Sequence, residues 1–206
     1  MNKLFFRINW FLLIHICIIN LFILVGANSN EKLNLISIGK DSAPVKIKIY
    51  SSLTCPHCAN FHFNVLPKIQ EKYVKTGKVK VIFIDFPLDL AALNASKILH
   101  CVEKNKQILI MDLIYEKQSQ WTVGSNIEEI NNRLREIVTT TGINPDKINK
   151  CFFDENIENE LLNARIEGHK KYSISSTPTI IINEKKLNGS MSFENIEKEI
   201  KKIFKL

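Results

Sequence analysis

The chain has 206 residues, 28 Lys plus Arg against 21 Asp plus Glu, a formal net charge of +7, five cysteines and 45% hydrophobic content. Those proportions are ordinary for a globular protein, and Gly and Pro are scarce, so disordered, collagen-like and low-complexity classes are excluded. The length suits one domain with an insertion and a real core, and the cysteines are too few for a disulfide-dense miniprotein but enough for redox or metal chemistry.

Residues Met1 to Ala27 contain Lys3 and Arg7, no acid, and an apolar run from Trp10 to Val25 that ends at Gly26-Ala27-Asn28-Ser29. A positive n-region, an apolar h-region and a Val-x-Ala site describe a secretory signal peptide cleaved after Ala27. A retained membrane anchor is the alternative, because the run approaches spanning length, although His15 and Asn20 interrupt it. No cysteine stands at the cleavage point, so a lipid anchor is not supported. Cleavage would remove Cys17 and two of the 28 bases, leaving four cysteines and a net +5. The remaining bases alternate with acids, as in Glu197-Lys198-Glu199-Ile200-Lys201-Lys202, which reads as a solvated helix face rather than a nucleic-acid surface.

The segment from Asn28 to Lys40 is polar and is expected to hold one short edge strand, Leu33 to Ile38. Val45 to Tyr50 alternates and is rich in Val and Ile, so it reads as a strand. Ser51 to Thr54 is a turn. A helix follows from about Cys55, with apolar residues at Phe61, Val65, Leu66, Ile69 and Tyr73, a kink at Pro67 and an end at Gly77. Val79 to Phe86 is the next strand, closing a βαβ unit of a parallel sheet. From Leu90 to Lys171 the pattern is helical, in runs over 91–104, 107–118, 127–140, 146–151 and 157–171. Thr177 to Asn183 is a strand that begins beside a proline, and Asn183-Glu184 turns into Lys185 to Leu187. Ser192 caps a last helix whose buried stripe is Phe193, Ile196, Ile200 and Ile203. The plan is an α/β sheet unit in two parts, 28–89 and 172–206, split by an all-helical insertion over 90–171.

The chemistry concentrates at Cys55-Pro56-His57-Cys58, between a strand and the helix that follows. The first cysteine occupies the helix N-terminus, where free N–H groups and the dipole favour a thiolate. Pro56 suits the first helical turn, where its missing N–H costs nothing. His57 adds stabilisation of negative charge when it carries or shares a proton. Cys58, one turn on, is expected to be more buried and within disulfide reach. Stabilising the thiolate favours the reduced form, so the disulfide becomes an oxidant. A substrate thiolate attacks the Cys55 sulfur, and a second substrate thiolate resolves the mixed disulfide. Zinc is not expected, because no second Cys-x-x-Cys supplies ligands. Covalent haem is excluded by Ala59, which stands where a histidine is needed. His62, His100 and His169 have no ligand spacing and read as surface or satisfied core histidines, so no metal and no cofactor is expected.

These residues resemble the DsbA family of thioredoxin-fold thiol:disulfide oxidoreductases. The resemblance rests on Cys55-Pro56-His57-Cys58, on Ala43-Pro44-Val45, on Ser52-Leu53-Thr54, on Ala59-Asn60-Phe61-His62, on the helical insertion and on Ser176-Thr177-Pro178-Thr179. It covers Gly39 to Leu206. It implies a thioredoxin-like fold and a periplasmic enzyme that donates disulfides to reduced, newly exported proteins. A quinone-linked membrane oxidase of the DsbB kind would reoxidise it. A depressed cysteine pKa is a known trait of this family and comes with the resemblance. The resemblance also implies that Pro178 is cis and faces the cysteine pair, with Thr177 offering its backbone and hydroxyl to an extended substrate; a trans proline opening an edge strand is the plain alternative. Many relatives carry a buried acid in the strand before the motif. Ile49 stands at that place here, beside Lys48, which leaves the proton acceptor for Cys58 open between a water and a Lys48 contact. Lys46 and Lys48 are also unexpected in a central strand.

Cys101 and Cys151 fall in the insertion. Some DsbA-like proteins carry an additional disulfide there, so a Cys101–Cys151 staple is expected, with two buried free thiols as the alternative. Three functions compete. The first is a monomeric dithiol oxidase. The second is a disulfide isomerase or reductase, disfavoured because isomerases of this fold need an N-terminal dimerisation domain and Asn28 to Thr54 is too short for one. The third is a non-catalytic binding or chaperone module, which the intact motif argues against.

Overall fold

The computed structural model describes residues 34–205; the expected export segment, and the start of the expected edge strand at Leu33, lie outside them. Five strands form one sheet: β1 (Ile36–Ile38), β2 (Val45–Ser51), β3 (Val79–Asp85), β4 (Thr179–Ile182) and β5 (Lys185–Lys186), in the order β1-β3-β2-β4-β5. β2 and β3 run parallel, with Val45 opposite Val79 and Ser51 opposite Asp85. β1 is antiparallel to β3, β4 to β2, and β5 to β4. β2 is therefore central, and its C-terminal end delivers the chain to Cys55.

The two faces of the sheet are unequal. Val45, Ile47, Ile49, Val79, Val81 and Phe83 lie in the main core with Phe61, Leu66, Ile69, Ile196 and Ile200. The other face carries a smaller cluster of Tyr50, Phe86, Ile174 and Ile181. Its other positions on β2 and β3 are only half-buried, and Lys46 and Lys48 are among them. Neither side chain is therefore driven into a core. Lys48 pairs with Glu184 and reaches the Tyr172 hydroxyl at 3.2 Å, while Lys46 reaches the Asp41 carbonyl. Lys171, Lys48 and the Tyr172 hydroxyl together pull the Glu184 carboxyl down to about 2. Lys48 thus anchors the β4–β5 turn over the open part of the sheet, and Lys46 holds the loop that precedes β2.

Between β2 and β3 run α1 (Pro56–Asn64), α2 (Leu66–Ile69) and a π-helical segment, Gln70–Val74. The helix breaks at Val65, two residues before Pro67, whose ring and missing N–H disrupt the preceding turn. Six helices separate β3 from β4: α3 (Leu90–Cys101), α4 (Lys104–Glu116), α5 (Gln118–Trp121), α6 (Ile127–Thr139), α7 (Pro145–Phe152) and α8 (Glu155–Tyr172). Asp89, Asn126, Asn144 and Asp154 cap α3, α6, α7 and α8 through their side chains, and each cap is worth about 1 kcal/mol. The helical run expected to reach Lys104 stops at Cys101 instead. Val102 is extended there and buried, and its departure from the helix lets α4 turn back on α3. Trp121 is fully buried and donates its indole N–H to the Ile114 carbonyl at 2.9 Å.

Inside the helical layer, Lys97 is 1% exposed. Its ammonium donates to the Phe152 carbonyl and to Glu158, both at 2.6 Å, so a buried charge ties α3 to α7 and α8. One turn along α3, Cys101 is disulfide-bonded to Cys151 with a Cα–Cα separation of 5.7 Å. The last helix, α9 (Phe193–Phe204), starts at Ser192, whose Oγ accepts the Asn195 N–H. Ile196 and Ile200 are buried, but Ile203 is 41% exposed, which corrects the expected stripe: the apolar face of α9 rotates away from the sheet in its last turn.

The disulfide spans 50 residues. Loss of that constraint on the unfolded chain costs about 4 kcal/mol in the chain-entropy view. The Cys101→Ala/Cys151→Ala double variant should therefore unfold at a distinctly lower urea concentration than the oxidised wild type. An unchanged midpoint would mean that the staple adds no stability.

Candidate active site

β2 ends at Ser51, and the next four residues are fixed from several sides before α1 begins. Ser52 Oγ meets Thr54 Oγ1 at 3.1 Å and accepts the Leu88 N–H at 3.3 Å. Thr54 Oγ1 donates to Asp89 at 2.7 Å, so the residue that caps α3 also holds the turn before the cysteines. The buried Gln118 amide donates to the Leu53 carbonyl at 2.8 Å and to the Cys55 carbonyl at 3.2 Å. Gln118 lies far from the motif in sequence, and only its place at the end of a predicted helical run could have drawn notice to it. Through these bonds the inserted helices clamp the loop that presents Cys55.

Cys55 is the N-cap residue of α1, with extended backbone and no side-chain cap of its own. Pro56 takes the first helical turn without wasting a donor. The Cys55 sulfur therefore stands where the helix dipole and the first N–H groups favour negative charge. Its thiol donates to the Thr177 carbonyl at 3.3 Å. The Thr177–Pro178 peptide is cis, and it places the start of β4 against the cysteines. Both Cys55 and Cys58 are free thiols here, buried at 7% and 2% exposure. His57 is exposed on the first turn of α1.

Cys58 faces inward. Burial pushes its thiol up to about 12, and the neighbouring Cys55 adds to the rise. A Ser52 backbone bond and the Thr177 side chain oppose it. The Thr177 Oγ1 is itself buried with no partner at full hydrogen-bond geometry, so its contact with the Cys58 sulfur is a weak one. Behind Cys58 lies a cavity of about 10 Å³, the size of one water, with Ile49, Ser51, His62, Tyr115 and Pro178 in its wall. Ile49 thus occupies the strand position below the sulfurs and contributes no proton acceptor. Lys48 does not substitute, because its ammonium is held by Glu184 and Tyr172 on the opposite face.

The three scattered histidines fall into different settings. His100 meets Asp85 at 2.8 Å, and His169 Nδ1 meets the Ile174 carbonyl at 2.9 Å. His62 is buried against the Tyr115 ring and meets Asp112 at 2.6 Å. Among the described residues no group of three or more His, Cys, Asp or Glu is placed to hold a metal ion.

A βαβ half, an antiparallel β-hairpin with a closing helix, and a Cys-x-x-Cys at the first helix N-terminus against a cis-proline define a thioredoxin-like fold. A helical layer is inserted between its halves. The comparisons agree. The thioredoxin family model matches residues 31–202. The crystal structure of α-DsbA1 from Wolbachia pipientis is 30% identical with a TM-score of 0.75, over 86% of this chain and 96% of that one. Disulfide bond formation protein D of Bacillus subtilis is 26% identical over 82% of this chain and 76% of its own length. A Rickettsia bellii protein named as a protein-disulfide oxidoreductase is 28% identical over 71% of this chain, and the match spans only 56% of that relative. The chain belongs to the DsbA-like family of thioredoxin-fold proteins. Among the described residues no helix is long and apolar enough to cross a membrane.

The raised Cys58 pKa has a consequence for stability. A thiol held neutral by burial contributes stability that is fully present below the unfolded pKa, near 9, and is lost as pH rises toward about 12. The reduced protein should therefore weaken between those limits. Buried tyrosines act in the same direction, so the comparison is with Cys58→Ala: urea midpoints of the variant should fall less steeply with pH over that window. Identical slopes would show that Cys58 is not held neutral.

Proposed function

We propose that this chain is an exported dithiol oxidase, which passes its Cys55–Cys58 disulfide to reduced proteins in the periplasm. The observation that carries the proposal is the placement of Cys55. It caps a helix N-terminus, and its sulfur lies 3.3 Å from the Thr177 carbonyl at the head of a strand. A substrate thiolate attacks the Cys55 sulfur; the Cys55–Cys58 bond breaks and its electron pair passes to Cys58. The helix terminus stabilises Cys55 as the later leaving thiolate when a second substrate thiolate resolves the mixed disulfide. The substrate loses two electrons and the protein gains them. Thr177 and Pro178 form the rim along which an extended substrate segment lies, with backbone pairing as its mode of recognition. His57, exposed beside the sulfur, adds positive charge when protonated.

Reoxidation falls to a quinone-linked membrane oxidase of the DsbB kind, and the working state is a monomer. The second reading, an isomerase or reductase, uses the same sulfurs and differs in the resting redox state. Residues 1–27 act in this account as the export signal.

Oxidised wild-type protein should convert a two-cysteine model peptide to its disulfide. Cys55→Ser should abolish that conversion. Cys58→Ser, treated with a peptide disulfide, should accumulate a mixed disulfide through Cys55 that mass spectrometry detects. Full activity of Cys55→Ser would sink the mechanism.

A further inference from the structure

The exchange leaves one proton unaccounted for. When the Cys55–Cys58 bond breaks, Cys58 departs as a thiolate inside a site that disfavours the charge. It must take up a proton as it leaves and give one up when the disulfide re-forms. The sheet below the sulfurs offers none, since Ile49 stands there. The remaining groups near the sulfur lie in the wall of the small cavity that Cys58 shares with its neighbours. Two other titratable groups line that wall, Tyr115 and His62. Tyr115 is deeply buried, and burial raises its phenol well above the ordinary range. Its hydroxyl is also directed at the Ser52 carbonyl, at 3.5 Å.

His62 has the features that Tyr115 lacks. It sits one helical turn beyond Cys58 on α1, on the same face. Its side chain is 8% exposed, and Nε2 is 2.6 Å from Asp112, whose own side chain is 48% exposed. One end of the imidazole is thus tied to a carboxylate in contact with solvent, while the ring forms part of the cavity wall. The ring is held by Tyr115 at 4.9 Å and Phe63 at 5.1 Å between centroids. Few other charges bear on it. α4 contributes Asp112 and Tyr115, and α1 contributes Cys58 and, beyond it, Cys55. β2 contributes Ile49 and Ser51, β3 contributes Phe83, and the cis-proline loop contributes Pro178, none of them titratable. Asp85, at the end of β3, is already bonded to Ser96 and His100.

We propose that His62 is the proton-transfer residue for Cys58, exchanging a proton with its sulfur across the shared cavity while Asp112 holds the ring by Nε2. The cavity has room for one bridging water. As the disulfide opens, the bond's electron pair goes to the Cys58 sulfur, and imidazolium gives the proton on its cavity-side nitrogen to that sulfur, becoming neutral imidazole with Nε2–H still on Asp112. On reoxidation the steps reverse: the same nitrogen takes back the Cys58 proton, and the thiolate forms the new bond. With Nε2 committed to Asp112, Nδ1 is the nitrogen left to serve the cavity.

This inference rests on the proposed exchange chemistry, and its test separates the two. The rate at which the oxidised, full-length protein oxidises a two-cysteine peptide is followed by stopped flow from pH 5 to 9, for wild type, His62→Gln and Asp112→Asn. Taking ratios of wild-type to variant rates cancels the ionisation of the peptide's own thiols. His62→Gln keeps a polar group of similar reach but cannot titrate. It should slow the reaction about 100-fold or more and make the rate ratio vary with pH through the imidazole range. Asp112→Asn keeps a hydrogen bond but loses the carboxylate on Nε2, so it should displace the pH at which the rate ratio inflects. A merely structural His62 would lower stability without altering the pH profile, so thermal unfolding of each variant is measured alongside. Wild-type rates and profile in folded His62→Gln would overturn the relay. Should His62→Gln fail to fold, an unshifted profile in Asp112→Asn overturns it. A wild-type protein that oxidises no peptide at any pH contradicts the exchange chemistry itself.

Discussion

The structure depends on one meeting point. The N-terminus of α1 and the cis Thr177–Pro178 peptide converge at the C-terminal end of β2, where the Cys55 thiol reaches the Thr177 carbonyl at 3.3 Å. Both partners are set by the sheet. β2 is flanked on one side by parallel β3, which fixes the exit of the chain into α1, and on the other by antiparallel β4, which begins just after Pro178. Cys55 and the start of β4 are therefore positioned by the same central strand.

The inserted helices serve that point as well as their own packing. Gln118 holds the Leu53 and Cys55 carbonyls, Asp89 joins the cap of α3 to Thr54, and His62 and Tyr115 meet behind Cys58. The buried Lys97 and the Cys101–Cys151 bridge lie deeper in the helical layer, where they join α3 to α7 and α8. The inserted layer thus splits into a part that clamps the reactive loop and a part that holds the layer together. A charge as deeply buried as Lys97 is tolerated because a carbonyl and a carboxylate both accept from it.

Much of this was legible in the sequence because it is local. Alternation marked β2 and β3, turn residues marked their ends, and the Cys-x-x-Cys spacing put one sulfur at a helix terminus. What the sequence hid depends on distant partners. Lys46 and Lys48 looked wrong for a central strand, since nothing local says that one face of the sheet is only half covered or that Glu184 and Asp41 lie beside them. The chain leaves the helix at Val102, which is extended and buried, and periodicity carries no sign of it. Ile203 fits a buried stripe by spacing and still faces solvent. His62 belongs to the Ala59-Asn60-Phe61-His62 stretch that carries the resemblance, but its setting emerges only when α1, α4 and the sheet enclose one small cavity.

The central claim is that the disulfide form is the energetic one, because the helix terminus favours Cys55 as a thiolate once the bond is broken. The reduction potential of the Cys55–Cys58 couple, measured on the full chain against glutathione, tests this most directly. A potential at or above about −180 mV, with the pair mostly oxidised when trapped in cells, is what the account predicts. A potential near the roughly −270 mV of a reducing thioredoxin, with the pair mostly reduced, would contradict it.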